Sequence, residues 1–128
     1  MAGAFLRKGA AAMLALLLAA FFGFVGWNKA FAPLAELARH GAWTVHLPEW
    51  LGRLVGWSEL ALAAALLAVP VRPSIARIAA LALVANQIAA GLVHLARGET
   101  AALPQNAVLI VILLALWGAA RTQQGETA

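Results

Sequence analysis

The sequence predicts an all-α integral membrane protein: a four-helix transmembrane bundle with a short outer interfacial helix, residues 1–128 forming a single domain. Three observations carry this reading. Hydrophobic residues make up 64% of the 128 and charged residues only 11%, with a mean hydropathy of +0.88, whereas about a quarter of a soluble domain is charged. The apolar residues fall in four runs, about 9–28, 51–69, 75–95 and 103–120, each near the roughly 20 residues that span a hydrocarbon core. The links between the last three runs, "PVRPS" (Pro70 to Ser74) and "RGETAALP" (Arg97 to Pro104), are short, which sets neighbouring helices antiparallel.

Run one follows Arg7 and Lys8 and closes in "VGWNKA". Its apolar stretch exceeds the roughly 7–15 residues of a secretory signal, and Asn28, Lys29 and Pro33 crowd the only signal-like cleavage motif, so it is expected to be retained as a span. Ala19, Phe22, Gly26 and Lys29 recur along it at helical spacing. In the link "FAPLAELARHGAWTVHLPEW", Pro33 suits a first helical position and Gly41 a helix stop. Leu34, Leu37 and Ala38 share one face of that short helix, which is expected to lie on the membrane surface. Trp27, Trp43 and Trp50 are expected to form an aromatic belt on that side, with Trp117 marking the other. Run two aligns Gly52, Gly56, Glu59 and Ala63 on one face, a small-residue seam that permits close helix approach. Run three aligns Ala80, Val84, Gln87, Gly91 and His94, with Asn86 alongside. Run four is aliphatic after "PQNA" (Pro104 to Ala107) and is expected to face lipid over much of its surface.

Five basic residues, Arg7, Lys8, Arg72, Arg77 and Arg121, lie on the side of the termini, and four, Lys29, Arg39, Arg53 and Arg97, on the other. The five occupy short segments, where the positive-inside rule applies best, so both termini are expected in the cytoplasm and the chain in the cell inner membrane. The formal charge of +4 is small and scattered, which argues against a nucleic-acid partner. With no cysteine, disulfide relays and iron–sulfur ligation are excluded. Neither a metal cluster, a nucleophile–base pair nor a phosphate loop is visible, so no catalytic or metal residue is assigned and the chain is not expected to be an enzyme on its own.

Glu59 is the most informative residue, because a carboxylate at depth costs about 2.5–3.5 kcal/mol on insertion scales. Helical side chains lean toward the helix N-terminus, so Lys29 on the outbound helix and Glu59 on the inbound one lean toward each other. Three readings of Glu59 stay open: one half of an ion pair that sets helix register, a proton- or ligand-handling group, or a carboxyl that is simply protonated. His94 falls at the level of Lys29 and Glu59, Gln87 about two turns deeper on its face and Asn86 beside it; Lys29, Glu59, Asn86, Gln87 and His94 are the candidate ligand-binding residues of an outward polar pocket. A pocket of that kind suits a quinone headgroup or another amphipathic molecule; no other cofactor is expected.

"VGWNKA" (Val25 to Ala30) and "VGWSEL" (Val55 to Leu60) echo each other with the charge reversed. Gly26 with Lys29 closing the first helix and Gly56 with Glu59 in the second, together with "ALVANQIAAGLVHLARGE" and "LPQNAVLIVILLAL", resemble the DoxX-like family of small four-helix bacterial membrane proteins. The resemblance covers nearly the whole chain. It implies a four-helix bundle in the cytoplasmic membrane. Some members are linked to quinone reduction by sulfur compounds, others to oxidoreductases in oxidative-stress resistance, and distant ones act as chaperones or cargo receptors. The leading expectation is an accessory subunit of a redox or oxidative-stress system, with the bilayer, a membrane oxidoreductase and further copies of itself as partners. The alternative is a non-catalytic scaffold or chaperone-like protein in which Lys29 and Glu59 only hold the helices together.

Overall fold

The computed structural model describes residues 2–127, the side chains of 126 and 127 excepted; Met1 and Ala128, the ends of the expected domain, lie outside the described residues. The chain is helical, with no strand among the described residues: α1 (Ala2–Phe31), α2 (Leu34–Arg39), α3 (Glu49–Leu66), α4 (Pro73–Ala96) and α5 (Leu103–Thr127). Single 3₁₀ turns at Trp43–His46 and Thr100–Ala102 lead into α3 and α5. Three segments, Ala2–Phe31, Pro73–Ala96 and Thr100–Gly125, are long and apolar enough to cross a membrane. The remaining long helix, α3, has 18 residues, among them Glu49, Arg53 and Glu59.

Local chemistry sets the helix ends. Pro73 occupies the first turn of α4, where its fixed φ and missing N–H cost nothing. Gly41 and Gly98 have φ of +71° and +72°, left-handed values that a Cβ would strain. The expected second span reached residue 69, but α3 ends at Leu66. A proline ring clashes with the carbonyl four residues before it, which for Pro70 is that of Leu66. The chain there tightens into i→i−3 bonds, Leu67 to Ala64 and Ala68 to Ala65, both 3.1 Å. The first and last helices overrun their apolar runs because good helix formers continue past the hydrocarbon-length segment.

Packing is pairwise: α1 lies mainly on α3 and α4 mainly on α5, with sparser contact between α3 and α4 and between α1 and α5. One core runs through these helices, from Ala11, Ala15, Leu18 and Phe22 of α1 to Leu66 of α3, Leu83 of α4 and Leu113 and Leu116 of α5. The small-residue faces pack inward: Ala19, Phe22, Gly26 and Lys29 are all buried, as are Gly52, Gly56, Glu59 and Ala63. On α5 the strip of Leu109, Leu113, Leu116 and Ala120 is buried while Val108, Val111 and Leu114 are exposed. The rest of that apolar surface is suited to lipid.

Candidate functional site

The site grows from the crossing of α1 and α3. A Cβ added at Gly26 would come within 2.9 Å of Gly56 O and of Glu59 Cβ, and 3.0 Å of Leu60 N. One added at Gly56 would lie 2.8 Å from both Gly26 O and Lys29 C, and would press on Ala30 N. The two sets of neighbours correspond under a shift of thirty residues, Leu60 with Ala30 and Glu59 with Lys29. The repeated "VGW" is therefore two halves of one antiparallel crossing, related by a local two-fold axis. Outside it, Trp27 stacks near Phe31 (4.5 Å between centroids) and Phe31 near Trp57 (5.0 Å) on the exposed face.

Three residues beyond each glycine the charges meet. Lys29 Nζ donates to Glu59 Oε1 at 2.7 Å, with the Glu59 side chain 0% exposed and that of Lys29 10%. The inward lean of one side chain and outward lean of the other close the axial gap between the two positions. Arg53, on a different face of α3, donates from Nη1 to the carbonyl oxygens of Ala32 (2.6 Å) and Lys29 (3.1 Å). These are end carbonyls of α1 that lack helical partners, and the cation also opposes the helix dipole there.

A line of amides extends the pair across the molecule. Glu59 Oε2 is buried with no hydrogen bond of ordinary geometry, and the Asn86 side chain is the amide that approaches the carboxylate. Gln87 Nε2 donates to Asn86 Oδ1 at 3.2 Å, and Asn106 Nδ2 of α5 donates to Gln87 Oε1 at 2.9 Å. Each of the four long helices thus contributes a polar group at one level.

Beside this line lies a cavity of about 320 Å³ between α1, α4 and α5, roofed by α2 and the turn that follows it. Lys29, Gln87, His94 and Asn106 supply its polar wall; Phe21, Phe24, Val25, Leu37 and Leu109 its apolar one. Of the five candidate residues, Lys29, Gln87 and His94 line it, whereas Glu59 and Asn86 stand behind the wall and hold Lys29 and Gln87 in place. His94 Nδ1 faces Glu99 Oε1 at 3.4 Å, and His46 Nε2 faces the same oxygen at 3.3 Å. That shared carboxylate links the roof to the α4–α5 connection.

The cavity also has polar lining residues that were not anticipated as part of the site, Asn28, Glu36, His40, Trp43, Gln105 and Asn106. Trp43, expected at the membrane interface, is only 8% exposed. The 3₁₀ turn folds it back over the cavity, its ring 5.7 Å from Lys29 Nζ. Asn106 carried a signal in the sequence: with Gln105 it is one of two amides in "PQNA", at the head of an otherwise aliphatic run. Trp43 Nε1, a donor, and Asn106 Oδ1, an acceptor, are both buried without a hydrogen-bond partner. Polar groups left so cost about 1–3 kcal/mol each; neither atom presents surface to the cavity, and Asn106 Oδ1 packs toward Gly91 of α4.

Compared with known proteins, residues 13–116 match a sequence model described as the DoxX-like family. No curated protein and no solved structure matches the chain.

Proposed function

This chain belongs to the DoxX-like family, and on that premise we propose that it is a four-span inner-membrane accessory subunit of a redox or stress-response system that binds a quinone-like molecule between α1, α4 and α5. The observation that carries the reading is a cavity of about 320 Å³ that sets Lys29, Gln87 and His94 opposite Phe21, Phe24 and Leu109. That volume lies within the usual range for small-molecule sites, about 300–1,000 Å³. A quinone carbonyl accepts from the Lys29 ammonium on the polar side of the cavity. Phe21, Phe24 and Leu109 receive the apolar ring and tail. Phe24 is 71% exposed and α1 and α5 pack sparsely, so the tail reaches lipid between those two helices. With no cysteine in the chain, the electrons come from a partner oxidoreductase.

In this reading α3 is the fourth span. Its 18 residues extend about 27 Å at 1.5 Å per residue, close to the hydrocarbon thickness. Its charges are matched: Glu59 by Lys29, and Arg53 by carbonyls of α1 and by Glu49 at 3.4 Å. The termini face the cytoplasm and α2 faces out.

Titration of the detergent-solubilised protein with a short-chain soluble quinone tests the proposal. Gln87→Leu and His94→Leu are each expected to weaken binding about tenfold, the equivalent of roughly 1.4 kcal/mol. Unchanged affinity in both, with folding intact, would sink it. Because the chain lacks cysteine, an Ala35→Cys variant labelled by an impermeant maleimide in intact cells reads the orientation; protection there alongside labelling of a C-terminal cysteine reverses it.

The scaffold reading is favoured by a separate observation, the backbone-close crossing at Gly26 and Gly56 with its sealed ion pair. Under it the quinone titration shows no binding, while the stability effects described in the Discussion persist.

A further inference from the structure

At the end of the molecule away from the cavity, Trp117 of α5 lies between two arginines. The Arg77 guanidinium carbon is 4.9 Å from the indole centroid, and that of Arg121, one turn further along α5, is 5.6 Å away. Both centres therefore sit within about one Debye length of each other, ~10 Å at 0.1 M salt, and repel. Among the described residues neither makes an ion pair. Of the five carboxylates, Glu36, Glu49 and Glu99 belong to the α2 end of the molecule, Glu59 is paired with Lys29, and the side chain of Glu126 lies outside the described residues. Arg77 Nη1 donates to Gln124 Oε1, while its Nε is buried without a hydrogen-bond partner.

We propose that Arg77, Trp117 and Arg121 form a binding site for the phosphodiester of an anionic phospholipid headgroup. Two guanidinium cations held beside one indole match a phosphate oxyanion, and the indole sits where tryptophan marks the headgroup level. Basic groups between membrane helices at the cytoplasmic side are suited to anionic headgroups. The attached chains have a place: Leu81, one turn from Arg77 on α4, and Leu114, one turn from Trp117 on α5, are 46% and 44% exposed. A soluble phosphate has no use for that apolar flank, so the lipid is the favoured source of the phosphodiester.

Native mass spectrometry of the full chain, equilibrated in detergent with equal amounts of phosphatidylglycerol and phosphatidylcholine, reads the retained lipid. At about 1 kcal/mol per basic residue near anionic lipid, or roughly fivefold each, wild type is expected to prefer phosphatidylglycerol by roughly 20–30-fold. Arg121→Gln, at an exposed position that folding does not need, should lower the preference about fivefold. The Arg77→Gln/Arg121→Gln variant should abolish it, and Arg77→Lys/Arg121→Lys should keep most of it. Equal retention of the two lipids by wild type, or an undiminished preference in Arg121→Gln, overturns the site. Soluble glycerophosphoglycerol at millimolar concentration is expected not to displace the lipid; displacement there would overturn the lipid as the source of the phosphate.

Discussion

Removing one member of the Lys29–Glu59 pair should cost far more than removing both, and the two single losses should be unequal. Lys29→Met strands Glu59, whose side chain is 0% exposed and whose Oε2 already lacks a hydrogen bond; breaking a buried pair in this way costs about 3–5 kcal/mol. Glu59→Gln strands Lys29, but that side chain lines the cavity, near the Trp43 ring. There water can reach it and the glutamine carbonyl can still accept from Nζ, so the cost falls to about 1–3 kcal/mol. In the double variant a methionine packs beside a neutral amide, and replacing a buried pair by groups of similar volume is often neutral or better, so the expected net loss is under ~1 kcal/mol. The coupling energy of the cycle is then at least ~3 kcal/mol. Reversible unfolding in mixed micelles, by SDS titration followed with far-ultraviolet circular dichroism, measures all four corners. Additivity within about 0.5 kcal/mol, the behaviour of independent sites, would refute the reasoning.

Two further outcomes follow from the same crossing. Gly56→Ala places a methyl against Gly26 O, Lys29 C and Ala30 N, all backbone, so the helices must separate and the protein should lose at least the ~1–3 kcal/mol of an overpacked core. Gly118→Ala, where nothing lies within 4 Å of the added Cβ, should instead gain up to ~1 kcal/mol from helix propensity; equal effects in the same unfolding assay would contradict the close approach. Arg53→Ala removes both donors to the α1 carbonyls and should cost about 1–2 kcal/mol, discounted from the ~1.5–3 of a charged hydrogen bond because the side chain is part-exposed. Amide exchange should rise at residues 30–34 and stay unchanged in α4; a uniform rise would point to global destabilisation instead.

The helices and their inward faces were legible because hydrophobic periodicity and small-residue seams act within a single element. Gly52, Gly56, Glu59 and Ala63 could be placed on one buried face from spacing alone, and Lys29 could be matched to Glu59 from depth and side-chain lean. The cavity was only partly legible. Its roof depends on where residues 34–46 fold, and nothing in "WTVH" distinguishes a tryptophan at the lipid interface from one turned over a cavity. The wall position of Gln87 and the position of Asn86 behind it depend on the rotation of α4 against α5, which neighbouring positions on one helix do not reveal. The role of Arg53 at the end of α1 required knowing where that helix ends.

The repeated "VGW" explains why the pair is arranged with the cation toward the cavity. Two antiparallel helices that cross at a local two-fold need the same shape on both sides, which is met by glycine at 26 and 56 and by tryptophan on the outer flank at 27 and 57. Identity cannot extend to the third residue past each glycine, because those two side chains meet, and like charges there would repel in a poorly solvated site. The charges must therefore be opposite, and the direction of each helix decides which one is sealed. On α1 three residues past the crossing leads toward the α2 end of the molecule, to the level of the cavity; on α3 it leads the opposite way, where Glu59 is covered. Exchanging the two residues, Lys29→Glu with Glu59→Lys, would preserve the pair but turn an acidic side chain toward the cavity. If that variant folds and still binds a quinone as wild type does, the polarity of the pair is irrelevant to the ligand; the geometry instead requires that binding be lost while stability is largely kept.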